Sequence, residues 1–162
     1  MLSFKLSIIQ FDSKVILKSV NLHIPSGKLT LLIGKSGSGK STLINALTFK
    51  NDFNAVYSFD DIKLSDLNDD EKRDFIFSYM GIVYQNPKFI ESLTIKDHIE
   101  LIQSISLSHD HIDIDEYISL LELNGLIYQY PNKLSGGEQV RVAILLSLIK
   151  NPDIIIMDEP TS

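Results

Sequence analysis

The sequence predicts an α/β fold in which an α-helical lobe is inserted into a core of strands and helices. First, an apolar run at residues 29–33 leads through a glycine-rich loop into a segment with helical spacing of its apolar residues. Second, residues 87–150 have helical spacing throughout. Third, four consecutive apolar residues, Ile154–Met157, are typical of a strand buried on both faces. We therefore expect one domain over residues 1–162, with 1–86 and 151–162 as the α/β core and 87–150 as the helical lobe.

Composition narrows the class of protein. The chain has 162 residues, 44% of them hydrophobic, which suits one globular domain with a real core. A net charge of −6 argues against nucleic acid as the main partner. No apolar stretch approaches the roughly 20 residues needed to cross a bilayer, and the first residues lack the features of a signal peptide. The absence of cysteine excludes disulfides and thiolate metal sites and permits a cytoplasmic location.

The N-terminal part reads as strands and turns. Leu2, Phe4, Leu6 and Ile8 alternate with polar residues, which predicts a half-buried strand. A second strand at 20–24 ends at a Pro-Ser-Gly turn, the buried strand 29–33 follows, and residues 55–59 form another short strand before a turn at 60–61.

Capping residues mark the helices that follow. Asn68, followed by acidic residues, predicts a short helix that ends near Phe77, and a buried strand at 80–84 comes next. Thr94 caps a helix at Ile95–Ile105, and Asp113 or Asp115 caps a helix at 116–123.

The glycine-rich loop is the strongest functional signal. Gly34, Gly39, Lys40 and Ser41 have the spacing GxxxxGKS, between the predicted strand and a predicted helix. In such a loop the glycines let backbone N–H groups close around phosphate oxygens, the lysine adds charge, and the hydroxyl binds Mg²⁺. The alternative is a flexible surface turn, which the flanking strand and helix disfavour.

A second glycine motif, Ser135-Gly136-Gly137-Glu138, begins another predicted helix. It is a capping box, but two glycines in a first turn cost up to about 1 kcal/mol each relative to alanine. Close backbone approach to a ligand would explain them, and the helix N-terminus would make a second anion site. A purely structural cap remains the alternative.

Asp158 and Glu159 directly follow the Ile154–Met157 strand. Ligand sites of α/β folds lie at the carboxyl ends of parallel strands. Asp158 is therefore a candidate Mg²⁺ ligand, and Glu159 a candidate for orienting or deprotonating a water beside the terminal phosphate. The alternative, a pair of solvated acids, loses weight because a phosphate loop lies upstream.

Together, GKSGSGKST at residues 34–42, Gln85, LSGGEQ at 134–139 and IIIMDEPTS at 154–162 resemble the nucleotide-binding domain of an ABC transporter. The resemblance runs along nearly the whole chain, and the LSGGE signature is its most specific part. It implies a P-loop NTPase (RecA-like) core with an N-terminal antiparallel β subdomain and an inserted α-helical lobe, with the C-terminal part missing. It also implies an ATPase that uses ATP and Mg²⁺.

The resemblance assigns roles to residues. Lys40 and the loop would hold the phosphates, Thr42 would lie on the α-phosphate side, and Glu159 would be the catalytic glutamate. Gln85 would contact both metal and water, so it counts with Lys40 and Glu159 among the catalytic residues. The implied ATP-binding residues are Phe11, Gly34, Ser36, Gly37, Ser38, Gly39, Lys40, Ser41, Thr42, Ser135, Gly136, Gly137 and Glu138, and the implied metal ligands are Ser41, Gln85 and Asp158. Phe11 stands where the family usually stacks a tyrosine on adenine; an ordinary core aromatic is the alternative.

The resemblance also implies partners. In this family the signature of one subunit covers the nucleotide of another, which gives a head-to-tail homodimer or a paired ABC subunit. We expect an ATP-binding subunit that is peripheral on the cytoplasmic face of the membrane and drives a transmembrane permease. Because Met1 lies just before the first strand, we expect the permease to be a separate polypeptide. The alternatives are an ABC ATPase of translation or DNA repair, and a nonhydrolytic nucleotide-binding or regulatory fragment.

The sequence departs from the family at its end. Ser162 falls inside the loop after the glutamate, so the family's later strands and its phosphate-contacting histidine are missing, and His23, His98, His109 and His111 all precede Glu159. We expect weak nucleotide binding, little hydrolysis and fewer sheet partners for the Ile154–Met157 strand. The segment His109-Asp110-His111 contains residue types that bind metal ions, but the favoured interpretation is a solvated loop in the helical lobe.

Overall fold

The computed structural model of the chain describes residues 2–11, 14–50, 55–106 and 112–160. The chain divides into two compact units, Met1–Arg73 and Asp74–Ser162. This boundary falls inside one helix, and each unit has its own sheet and its own buried side chains.

The first unit contains a four-stranded antiparallel sheet with the order β2-β1-β3-β4. Leu2 pairs with Ile24 on one side and with Phe59 on the other, so β1 is central. The register shifts between Ile9 and Gln10, where the strand is irregular. The antiparallel N-terminal subdomain expected from the sequence is confirmed. Its strands are β1 (Leu2–Phe11), β2 (Lys14–Ile24), β3 (Ala55–Phe59) and β4 (Ile62–Lys63).

One face of this sheet is apolar, as the alternation of β1 predicts. Leu2 and Phe4 are buried on this face, and the Phe4 ring lies 5.5 Å from the ring of buried Tyr57 on β3. Ile9 is also buried, but the alternation of the strand places it on the opposite face. Among the described residues, one α-helix lies wholly within this unit. This helix, α1 (Lys40–Leu47), buries Leu43, Ile44, Ala46 and Leu47. A short 3₁₀ turn, Leu64–Asp66, buries Leu64.

The second unit is mainly helical around one parallel strand pair. Met80 pairs with Ile154 and Val83 with Met157. Its apolar core joins the three lobe helices, and includes Ile95, Ile99, Ile118, Leu123, Leu134, Val142, Leu145 and Ile149. The inserted helical lobe is therefore confirmed. The elements from the boundary onward are α2 (Asp69–Tyr79), β5 (Met80–Val83), α3 (Ile95–Ile105), α4 (Ile114–Leu120), α5 (Gly136–Leu148) and β6 (Ile154–Met157).

The predicted helix starts are confirmed by their hydrogen bonds. The Asn68 side chain accepts from the N–H groups of Asp70 and Glu71, each at 3.0 Å, at the start of α2. Thr94 and Asp97 form a reciprocal capping box at α3. Of the two candidates for α4, Asp113 is the cap, so the helix begins two residues earlier than predicted and ends at Leu120 rather than 123.

Two sequence predictions about strands are wrong. Residues 29–33 form no strand, and Leu29 and Ile33 are 92% and 82% exposed. The strand β6 forms, but it is not buried on both faces, because Ile155 is 44% exposed while Ile154 and Ile156 are half-buried. The physical reason is the same: within the described ranges, residues 29–33 pair with no strand and β6 pairs only with β5. Apolar composition favours a buried strand only where neighbouring strands supply backbone partners.

Candidate functional site

The glycine-rich loop turns tightly before α1. Gly37 and Gly39 have φ values of 75° and 93°, a left-handed conformation that other residues adopt at a cost. At Gly34 a Cβ atom would lie 2.6 Å from the Ser38 Oγ, so the serine side chain would have to move. The Lys40 ammonium donates to the Gly34 carbonyl at 3.0 Å, so its charge is folded back onto the loop. The backbone of the loop therefore favours glycine most strongly at positions 37 and 39.

The N-terminus of α1 differs from those of the later helices. Its N-cap residue is Gly39, no side chain caps its N–H groups, and no acidic residue lies in its first turn. In contrast, each of α2 to α5 has a capping side chain and an acidic residue at the third helical position. These acids are Glu71, Asp97, Glu116 and Glu138. At the same position α1 has Thr42.

An uncapped helix start fits an anion. Its first N–H groups have no partner within the helix, and the helix dipole concentrates a partial positive charge there. A phosphate group satisfies both requirements. The side chain of Ser41 is exposed and that of Thr42 half-buried in this first turn, next to the Lys40 ammonium. The arrangement is suited to binding a phosphorylated ligand.

A second group of predicted residues meets at the carboxyl end of the β5–β6 pair. The Asp158 N–H donates to the Val83 carbonyl at 2.9 Å, which extends the pairing by one residue. The Gln85 side-chain amide donates to the Glu159 carboxylate at 3.1 Å. Glu159 has a φ of 48°, a left-handed backbone that is uncommon for glutamate. The structure thus brings Gln85 and Glu159 together beside Asp158, although 74 residues separate the pair in sequence.

The start of α5 is closed by its own side chains. Both the N–H and the hydroxyl of Ser135 donate to the Glu138 carboxylate at 2.7 Å, and the Ser135 oxygen accepts from the Glu138 N–H. The hydrogen bonds from the Ser135 side chain and backbone lower the pKa of Glu138 below 4.5. A Cβ atom on Gly136 would meet no atom within 4 Å, and one on Gly137 only the Arg141 guanidinium at 3.9 Å. Nothing in the surrounding described structure requires glycine at these two positions.

The predicted site residues are divided between the two units. The loop with Ser41 and Thr42 belongs to the first unit, and Gln85, Asp158, Glu159 and the Ser135–Glu138 segment belong to the second. Phe11 ends β1, but its side chain lies outside the described residues, as do His109 and His111.

The predicted metal ligands have suitable chemistry. Ser41, Gln85 and Asp158 carry hydroxyl, amide and carboxylate oxygens, the ligand types that Mg²⁺ takes together with phosphate oxygens. Over the described ranges, no group of three or more His, Cys, Asp or Glu side chains is arranged to hold a metal. Ser41 belongs to the first unit and Gln85 and Asp158 to the second, so it is the chemistry of these side chains, and not their arrangement, that supports the prediction.

Two residues with specific contacts were not predicted from the sequence. The Lys150 ammonium donates to the carbonyls of Phe77 and Met80 at 2.8 and 3.1 Å, at the end of α2, and burial lowers its pKa. His98 uses both ring nitrogens within the lobe. The spacing Ile95, His98, Ile99 places this histidine on the apolar face of α3, which is the sequence signal that would have indicated it.

The chain is similar to ABC transporter proteins in sequence and in structure. The family described as ABC transporter matches residues 17–162. ABC transporter ATP-binding protein YtrE of Bacillus subtilis is 32% identical over 150 residues, which are 90% of this chain and 65% of YtrE. The Fe(3+) ions import ATP-binding protein FbpC of Fusobacterium nucleatum is 31% identical over 160 residues, 94% of this chain and 41% of FbpC. The chain thus spans less than two thirds of these relatives.

The fold is also that of a solved ABC cassette. The dimeric structure of MJ0796, a bacterial ABC transporter cassette, matches with a TM-score of 0.85 and 32% identity, over 99% of this chain and 75% of that one. A dimeric post-hydrolysis state of the same cassette, bound to ADP and Pi, matches with a TM-score of 0.84. Among the described residues, no helix has the length and apolar character needed to cross a membrane.

Proposed function

The chain belongs to the ABC transporter family, and from this premise we propose that it binds Mg-ATP as the ATP-binding subunit of a transporter. In this role, binding and hydrolysis of ATP by a pair of such subunits move a substrate through a separate membrane permease. The observation that carries the proposal is the N-terminus of α1, which has no cap of its own and lies beneath the glycine loop and the Lys40 ammonium.

The phosphates of ATP would take the place of the missing cap. The backbone N–H groups of the loop and of the first turn of α1 would donate to phosphate oxygens, and Lys40 would add a full positive charge. This role requires Lys40 to exchange its contact with the Gly34 carbonyl for a phosphate oxygen. A charged acceptor makes a stronger hydrogen bond than a neutral carbonyl, so the exchange is favourable.

Hydrolysis would use the residues at the end of the β5–β6 pair. Mg²⁺, when bound by Ser41 and Asp158, neutralises part of the phosphate charge. Glu159 would accept a proton from the attacking water, as a general base. Gln85 holds the Glu159 carboxylate through its side-chain amide, so it would also fix the orientation of that base.

The α5 N-terminus would act on the nucleotide of a second subunit. Support for this comes from Gly136 and Gly137, which have open space where a Cβ would be and no internal reason to be glycine. The capping box uses the N–H groups of Ser135 and Glu138, so another chain's ligand would approach the backbone at Gly136 and Gly137, where side chains are absent. In the proposed transporter this head-to-tail dimer would contact a membrane permease from the cytoplasmic face.

A titration with Mg-ATP tests the phosphate site. We expect Lys40→Ala to weaken binding about 10- to 100-fold, because one charge-assisted contact of roughly 1.5–3 kcal/mol is lost. Lys35→Ala is the matched control, since Lys35 is an exposed lysine in the same loop whose backbone, not its side chain, contacts Lys40. Isothermal calorimetry of the three proteins gives the comparison. Equal affinities of Lys40→Ala and wild type would refute the proposed site.

Dimerisation is tested separately. Glu159→Gln keeps the shape and the phosphate contacts but removes the base, so Mg-ATP should shift this variant towards a dimer that releases no phosphate. Sedimentation velocity with and without Mg-ATP measures the shift. If Glu159→Gln stays monomeric at saturating Mg-ATP, the head-to-tail arrangement is wrong for this chain.

A further inference from the structure

His98 lies on α3 with its side chain only 6% exposed, and both ring nitrogens have backbone partners. The Nε2 atom lies 3.0 Å from the Ile90 nitrogen, and Nδ1 lies 2.8 Å from the Thr94 carbonyl oxygen. The ring thus connects the first turn of α3 to the segment that follows Gln85.

These contacts define the protonation state of the ring. A backbone N–H can only donate, so Nε2 must accept from Ile90 and carry no hydrogen. A carbonyl oxygen can only accept, so Nδ1 must carry the hydrogen and donate to Thr94. The contacts therefore require the neutral Nδ1–H tautomer. A doubly protonated ring has no acceptor to offer Ile90.

The α3 end of the connection is rigid. The Thr94 N–H and hydroxyl both donate to the Asp97 carboxylate, at 2.8 and 2.6 Å, and the Thr94 carbonyl also accepts the His98 N–H. Those hydrogen bonds lower the pKa of Asp97, so the carboxylate stays ionised and keeps the cap closed. The His98 ring therefore belongs to a helix start that the hydrogen bonds between Thr94 and Asp97 hold in place.

The other end has few alternative attachments. Ile90 is 49% exposed, and its neighbours Lys88 and Glu91 are exposed as well. Phe89 packs partly against the lobe core and contacts the His98 ring edge-on, with 5.8 Å between ring centroids. The Ile90 carbonyl accepts from the Leu93 N–H at 3.0 Å, whereas the Ile90 N–H is attached to α3 through His98. Phe89 is held by the lobe core and the His98 ring together.

We propose that His98, as the neutral Nδ1–H tautomer, is a positioning residue that fixes residues 86–90 on α3 and thereby holds Gln85 against Glu159. The end of β5 at Val83, where the carbonyl accepts from the Asp158 N–H, fixes the chain on the N-terminal side of Gln85. The attachment of Ile90 adds a fixed point on its C-terminal side, so the backbone of Gln85 is restrained from both directions. The consequence for catalysis rests on the proposed function, whereas the attachment itself does not.

Three variants separate the contacts of the ring. In His98→Gln the new amide oxygen reaches about as far as Nε2, so this variant can restore the bond from Ile90. His98→Asn reaches only as far as Nδ1, and His98→Leu keeps volume without hydrogen bonds. His23→Leu, in the antiparallel sheet, is the control. Amide hydrogen exchange of the full chain, followed by NMR without nucleotide, reports on Ile90. The signals of the Gln85 side-chain amide report its hydrogen bond to Glu159, and the ring nitrogen chemical shifts report the tautomer of His98.

We expect exchange at Ile90 to become about five- to tenfold faster in His98→Leu and His98→Asn, and to return towards wild type in His98→Gln. The signals of the Gln85 side-chain amide should move in the first two variants and return in the third. Wild-type ring shifts should show hydrogen on Nδ1 alone. Hydrogen on Nε2, or unchanged exchange at Ile90 in His98→Leu, would overturn the proposal. So would faster exchange at Ile90 with unchanged side-chain amide signals of Gln85. Failure of Lys40→Ala to weaken ATP binding would refute the function without altering these results.

Discussion

The N-termini of α1 and α5 carry similar glycine motifs but are built in opposite ways. At α1 the loop needs glycine for its left-handed backbone, and no side chain caps the N-terminus of the helix. At α5 the helix is closed by Ser135 and Glu138, and its two glycines have open space around them. The difference teaches that similar glycine motifs can have different structural causes. At α1 the backbone of the loop requires glycine, whereas at α5 the described structure does not, in keeping with the proposed contact with a second subunit.

The largest expected effect comes from giving α1 the acid that the other helices have. Thr42→Glu places a carboxylate at the third helical position, as Glu138 is placed in α5. Helix stability should be kept or slightly raised, since an acid there suits the dipole. Mg-ATP affinity should fall on the order of 100-fold or more, because like charges would lie a few ångströms apart. Calorimetry measures this, with Thr42→Gln as the uncharged control. Equal losses in both variants would exclude the electrostatic explanation.

The next effect concerns stability. In Gly39→Ala the alanine backbone would have to keep a φ of 93°, and its Cβ atom would lie 2.8 Å from a Leu17 methyl group. We expect a loss of about 2 kcal/mol of unfolding free energy, from left-handed strain and overpacking together. Gly37→Ala, with a φ of 75° but no atom within 4 Å, should lose only about 1 kcal/mol. Urea unfolding followed by circular dichroism compares them; equal losses would mean that the contact with Leu17 is unimportant.

The matching change at α5 should have the opposite sign. Gly136→Ala meets no neighbouring atom and has no left-handed backbone to strain, so it should be neutral or stabilise the chain by up to about 1 kcal/mol. ATP-dependent dimerisation should nevertheless weaken, because the added methyl group stands on the proposed contact surface. Urea unfolding and sedimentation velocity measure the two properties. Marked destabilisation by Gly136→Ala would show that this glycine serves the fold, as at α1.

The smallest effect depends on pH. Hydrogen bonds lower the pKa of Glu138 below 4.5 and of Asp97 below 3.8, so the folded chain keeps both carboxylates ionised where the unfolded chain binds protons. Their contribution to stability is complete above those unfolded-state values and is lost as the pH falls through the lower folded-state values. Amide protection, corrected for intrinsic rates, should therefore fall in acid at the starts of α3 and α5 but not of α1. Glu138→Gln should remove the effect at α5 only.

Features set by neighbouring residues could be predicted from the sequence. Asn68, Thr94 and Ser135 cap helices as expected, because a capping side chain needs only the three residues that follow it. The alternation in β1 likewise predicted that Leu2 and Phe4 are buried, but it did not predict the burial of Ile9 on the opposite face.

Features that depend on distant partners could not be predicted. Residues 29–33 are as apolar as a buried strand, yet they form none, since apolar composition does not reveal whether a neighbouring strand is present. The hydrogen bond between Gln85 and Glu159 was not predicted, although the resemblance assigned both residues to catalysis. His98 was missed because histidine on an apolar face does not indicate what its nitrogens bind. The roles of the candidate site residues stay predictions until nucleotide binding is measured.

Two exposed segments with apolar side chains, residues 29–33 and β6, also affect how the protein behaves in concentrated solution. Residues 29–33 combine high β-propensity with no charge, and β6 presents one unpaired edge among the described residues together with the exposed side chains of Ile155 and Met157. Such segments are templates for intermolecular strand addition. Self-association that increases with protein concentration and does not depend on ATP would then come from these segments. Such association must be distinguished from the proposed nucleotide-dependent dimer. The substitution Leu31→Lys should raise solubility by opposing such stacking, without touching the phosphate loop.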